Sequence, residues 1–154
     1  MTTNSATTVS FYHLSASPFE KALAAIMGKA YASNLKSVIL TSNELKSLEV
    51  DTLLWLQGRH SFLPHALISD PKSERQPILI SHEVTDFPNN PEAIVAVSGR
   101  TDFDPIKYKR VIDIFNGNDQ NEVEQARKRW VHYKKLGCEM QYWFQDEKGN
   151  WASK

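Results

Sequence analysis

The strongest constraint on this chain is a series of short apolar runs that alternate with stretches of helical character. VSFYHL from Val9, SVILT from Ser37, PILIS from Pro77, EAIVAVSG from Glu92, YKRVIDIF from Tyr108 and CEMQYWFQ from Cys138 are rich in β-branched and aromatic residues. SVILT and PILIS are apolar almost throughout rather than at every second position. Such strands have to be covered on both faces, as parallel strands between helical layers are.

The intervening segments carry helix signals. Ser17 and Pro18 suit an N-cap and first helical position, Glu20 suits the positive end of the dipole, and Ala22, Leu23, Ile26, Met27 and Ala30 recur at helical spacing. Thr41 and Glu44 have the spacing of a capping box and introduce a helix running through Leu45, Leu48, Leu53 and Leu54. Gly117-Asn118-Asp119 breaks the fifth strand and caps a long final helix through Leu136, which Gly137 ends. Gln57–Pro64 reads as a loop, and Pro88–Pro91 as a turn. The expectation is one three-layer α/β/α domain over residues 1–154, with 1–7 as a flexible tail. Its sheet is open and mostly parallel with a mixed edge, Rossmann-like but without a nucleotide loop.

Charge and cysteine content narrow the classes. The 154 residues carry 18 basic and 18 acidic side chains, a formal net charge of zero. Broad phosphate binding calls for a basic excess, so extensive direct contact with nucleic acid is disfavoured. No run approaches the roughly 20 apolar residues that cross a bilayer. The start, MTTNSATTVS, lacks the basic and apolar regions of a signal peptide, so a cytoplasmic protein without membrane contact is expected. Cys138 stands alone, which excludes an internal disulfide; it reads as a buried structural thiol rather than a nucleophile.

Catalytic templates are missing. The six glycines form neither GxGxxG nor GxxxxGK[ST], and SASPFE after the first strand lacks the glycines a pyrophosphate needs for close approach. No GxSxG elbow occurs. The histidines are His13, His60, His65, His82 and His132; the five-residue gap between His60 and His65 fits no standard metal template, and ordinary hydrogen-bonding roles are expected. No cofactor, metal or catalytic residue is expected.

The last helix is more informative. At 100° per residue Val123, Arg127, Trp130 and Lys134 share a stripe, flanked by Val131 and Lys135 on one side and Ala126 and Tyr133 on the other. One reading is a pocket that takes an apolar ligand group while cations neutralise nearby carboxylates. The other turns Trp130, Ala126 and Tyr133 into the core and leaves the basic residues in solvent. A second apolar stretch, Trp55 to Pro64, either folds into the core or meets a partner.

The chain also resembles a known family. The likeness rests on FYHL at Phe11–Leu14, SPFEKAL at Ser17–Leu23, LLW at Leu53–Trp55, SFLPH at Ser61–His65 and QPILIS at Gln76–Ser81. It continues with RVIDIF at Arg110–Phe115, ARKRWVHYKKLG at Ala126–Gly137 and a final QYWFQDEKGNW. In this order and spacing they resemble the chi subunit of bacterial DNA polymerase III. The resemblance implies a non-catalytic adaptor in DNA replication. It would bind the acidic C-terminal tail of the single-stranded-DNA-binding protein and join the clamp loader through a small psi subunit, contacting DNA only indirectly. It also implies roles by position: Arg127 for the tail carboxylate, Trp130 and Val131 for its apolar pocket, and Lys134 for acidic residues further up the tail. Val123 and Val131 stand at or near positions where the family often has basic residues. Phe62, Leu63 and Pro64 fall on the psi-facing surface. Two other readings remain: a nucleotide-using α/β enzyme, and a direct single-strand binder stacking bases on Trp130, Tyr133, Tyr142 and Trp143.

Overall fold

A computed structural model describes residues 6–57 and 63–153. The six apolar runs pair with two further short strands into one eight-stranded sheet in the order β3-β4-β2-β5-β6-β1-β7-β8. Its strands are β1 (Thr8–Leu14), β2 (Ser37–Leu40), β3 (Ala66–Leu67), β4 (Ile78–Ser81), β5 (Ala93–Ala96), β6 (Arg110–Asn116), β7 (Glu139–Gln145) and β8 (Trp151–Ser153). Every described pairing is parallel except that of β7 with β8. The three-layer, mostly parallel architecture expected from the sequence is therefore the one observed. None of the described helices is long and apolar enough to cross a membrane.

Side chains alternate between two cores, as strands covered on both sides require. Leu14, Ile39, Ile78, Ile80, Val95, Ile112 and Ile114 point to the layer formed by α1 (Phe19–Ala32) and α2 (Glu44–Gln57). Val9, Phe11, Val38, Leu79, Ile94, Val111 and Phe115 point to the layer holding α3 (Gln120–Lys135). α1 buries the five residues its periodicity marked. α3 starts on Asp119, whose carboxylate accepts from the amides of Asn121 and Glu122, and Gly137 follows it at φ 85°.

Local signals were misread in five places. Pro18, not Ser17, occupies the cap position of α1 and supplies no side-chain bond; the Ser17 hydroxyl accepts from Gln145 Nε2 instead. Asn43 caps α2 by accepting from the Lys46 amide at 2.8 Å, while Thr41 Oγ1 pairs with Ser47 Oγ at 2.6 Å. That contact turns Ser47, Val50 and Leu54 inward and leaves Leu45 and Leu48 exposed. The two-residue β3 was not anticipated, and neither was β8. The β8 hairpin depends on Gly149 at φ 86° and on Asp146 Oδ1, which accepts from the amides of Lys148 and Asn150 at 2.9 Å each. Thr7, grouped with the tail in the sequence, is buried and donates to the Tyr108 carbonyl at 2.7 Å.

Candidate functional site

In open α/β sheets ligands favour the crevice at the carboxyl ends of two adjacent strands whose connections leave toward opposite faces. Here those strands are β1, which leads to α1, and β6, which leads to α3. The crevice is stitched shut. Gly117 N–H donates to the Leu14 carbonyl at 2.6 Å, and Asn118 Nδ2 donates to the Ser15 carbonyl at 3.0 Å. Gln145 Oε1 accepts from the amides of Ser15, Ala16 and Ser17, each at 3.1 Å. The backbone donors that would cradle a phosphate are thus bonded to the protein's own carboxamide. At the other half of the sheet, Arg100 Nη1 donates to the carbonyls of Thr41 and His82 and closes the ends of β2 and β4. Its guanidinium also pairs with Asp102 at 2.6 Å.

The developed concavity lies next to the β1–β6 crevice, between α3 and the α3-facing side of β1, β6 and β7, and reaches Ser15 and Gln145. It encloses about 930 Å³. Phe11, His13, Phe115, Tyr142 and Phe144 floor it, and Val123, Ala126, Arg127, Trp130 and Val131 form its α3 wall. Trp130 meets Phe11 edge-on at 5.4 Å and Tyr142 at 5.9 Å. It serves core and groove together, so the two readings of the helix stripe are both partly realised. Arg127 is exposed at the lip, and Val131 is about half exposed beside it. Burial raises the Tyr142 phenol above its ordinary value, and the Arg127 cation pulls it back. Lys134 is exposed further along α3 and is not part of the lining.

Two buried features hold this wall in place. Asp113, fully buried on β6, takes both arms of Arg129 from α3. Gly99, at φ 72°, leaves the space that Arg129 fills: an added Cβ would sit 2.8 Å from Nη1. Tyr133, with no exposed surface, packs against Phe11 at 6.1 Å. Cys138 is buried at the start of β7, and burial pushes its thiol up, the opposite of an activated nucleophile.

The remaining marked residues are elsewhere. Phe62 and His60 lie outside the described residues. Leu63 is buried in the core beneath α1 and α2, and Pro64 is half-buried. Beside them Trp55, 53% exposed, lies tilted against the ring of His65 at 4.6 Å, and His65 has Nδ1 2.7 Å from the Leu63 carbonyl. Among the described residues no three side chains are grouped as metal ligands. The four aromatics of the stacking reading do not lie on one common surface. Tyr133 is buried, and Trp143 is on the opposite face of β7 from Tyr142, stacked with Tyr12 at 6.4 Å.

Sequence reasoning missed the groove floor and the Arg129–Asp113 pair. Alternation along β1 and β7 puts Phe11 with His13 and Tyr142 with Phe144, and that signal was available. That β1 lies between β6 and β7 was not, because it joins segments more than 100 residues apart.

Fold and groove together define the class: an open-sheet α/β domain with a closed switch-point crevice and an aromatic groove along one helix. Residues 6–141 match the family model described as DNA polymerase III chi subunit, HolC. A similar protein is the "Probable DNA polymerase III subunit chi" of Rickettsia prowazekii (strain Madrid E), 36% identical over 106 residues. That match takes in 69% of this chain and 64% of the relative's length. The chain belongs to the DNA polymerase III chi subunit family.

Proposed function

We propose that the chain is a non-catalytic accessory subunit of the bacterial replicative polymerase. In this role it holds the C-terminal tail of the single-stranded-DNA-binding protein and joins the clamp loader through psi. The observation that carries this reading is the pairing of an aromatic floor with Arg127 at the lip of one groove. A peptide ending in an aromatic residue and a free carboxylate needs those two elements side by side. Burying its ring contributes about 1.5–3 kcal/mol. Arg127 then orients the carboxylate through charge-assisted hydrogen bonds, and Lys134 meets acidic residues upstream.

Valine at positions 123 and 131 makes the lip less cationic than in a site with lysines there, so the affinity is modest, about −8 kcal/mol or micromolar. Several tails on one coated strand compensate through multivalency. The psi contact is assigned to Phe62, Leu63 and Pro64; of these Leu63 is packed into the core, Pro64 is half-buried, and Trp55 presents apolar surface next to them.

The test is a fluorescence-anisotropy titration of a labelled acidic peptide ending in phenylalanine, with Arg127→Ala and with oligo-dT as control. Salt-sensitive micromolar binding, lost in the variant and absent for DNA, supports the adaptor. Tight oligo-dT binding without peptide binding overturns it.

A further inference from the structure

The groove floor contains an imidazole that tail binding, as just described, does not use. His13 stands on β1 with its ring 5.1 Å from that of Phe115 and 5.9 Å from that of Tyr142. It is wedged in place, because Gly117 passes so close that an added Cβ would fall 1.8 Å from Nε2. Nδ1 lies 2.5 Å from the Tyr142 hydroxyl. His13, Tyr142 and Arg127 all line the same groove.

We propose that His13 and Tyr142 form a relay that turns the phenolic proton toward a carboxylate held by Arg127. The groove then prefers an acid-terminated ligand, and prefers it more strongly once His13 is protonated. This deepens the tail-binding reading and rests on it. A neutral imidazole with a lone pair on Nδ1 accepts the phenolic proton and leaves only oxygen lone pairs for an incoming carboxylate. An imidazolium has no lone pair, so Nδ1–H must donate to Tyr142 Oη, and the phenolic proton turns away from His13. Donated to a carboxylate, it makes a charge-assisted bond, and the imidazolium adds a second cation beside Arg127. Binding therefore strengthens as pH falls through the range where imidazoles titrate.

Other charged groups face the groove or border it. α3 brings Arg127 and Glu122, with Glu122 Oε1 accepting from the Asn116 amide. Asp119 is engaged by the amides of Asn121 and Glu122. On β6, Asp113 is held by Arg129, and β7 brings Tyr142 itself. His132, also on α3, is exposed, 5.4 Å from the Tyr133 ring and outside the lining.

The test titrates the intact chain with an acidic peptide ending in phenylalanine, once with a free carboxylate and once as the C-terminal amide, between about pH 5.5 and 8. The acid form is expected to bind about tenfold tighter at the low end, with little change for the amide. Tyr142→Phe keeps the ring, and so the floor, but lowers the acid-over-amide preference and flattens the pH profile. His13→Gln flattens it too, whereas His132→Gln leaves it intact. Arg127-dependent binding that is flat with pH, or a wild-type ratio and slope in Tyr142→Phe, overturns the relay while leaving tail binding standing. Failure of both peptides to bind at any pH overturns both.

Discussion

Arg129 clamps Asp113 across the interface between α3 and β6, with Nε donating to Oδ2 at 2.6 Å and Nη2 to Oδ1 at 2.8 Å. Asp113 is fully buried and the Arg129 side chain is only 12% exposed. Burial raises the Asp113 pKa, and the guanidinium partly offsets this. The pair fixes the rotation of α3 and thereby aims Arg127 and Trp130 at the groove. Asp113→Ala leaves a buried cation without its partner and should cost about 3–5 kcal/mol in urea unfolding. Asp113→Leu with Arg129→Met should recover most of that loss. Equal destabilisation in the single and double variants contradicts the pairing.

Tyr133 has a buried hydroxyl with no hydrogen-bond partner among the described residues. Tyr133→Phe should therefore stabilise the fold, by about 1 kcal/mol. Burial and the nearby Asp113 raise its pKa well above 10.0. The native state thus keeps a proton that the unfolded chain releases, so wild-type stability falls as pH climbs above that ordinary value. Unfolding curves near pH 10 and above should show this fall reduced in the phenylalanine variant.

The fold was largely legible from the sequence because it is written in local chemistry. Runs such as Ile78–Ser81 read as buried strands by their shortness, β-branched content and flanking Pro77, and Ala22, Leu23, Ile26, Met27 and Ala30 state the face of α1 outright. α2 misled because Leu45 and Leu48 look like core residues, whereas the buried position is Ser47, held by a hydroxyl pair with Thr41. The α3 wall of the groove was visible as a helical stripe. Its floor was not, since it depends on β1 pairing with both β6 and β7, and Arg129 is indistinguishable by sequence from its exposed neighbour Lys128.

Gln145 is the keystone of the β1–α1 turn, accepting three successive amides through one oxygen and donating to Ser17 Oγ at 2.8 Å. Gln145→Ala should cost about 2 kcal/mol, because the three donors lose their buried acceptor. Amide exchange at Ser15, Ala16 and Ser17 should accelerate together. Unchanged protection at all three would refute the role assigned to this side chain.

Val131 marks where the lip lacks charge. It is about half exposed beside Arg127, so a lysine there fits without burial. Val131→Lys should tighten acidic-peptide binding about threefold at low salt, with the gain shrinking as salt rises. A gain that persists at high salt would point to a contact other than charge.

The groove itself is tested most directly by the indole N–H resonances of the four tryptophans during titration with an unlabelled acidic peptide ending in phenylalanine. Trp130 forms the groove wall, while Trp55 sits over His65, and Trp143 and Trp151 flank Tyr12 on the other face of the sheet. The assignment of the tail to the α3 groove predicts that the Trp130 signal moves and the other three stay put. Movement at Trp55, or at Trp143 and Trp151, with Trp130 unmoved would contradict it and put the peptide on another surface.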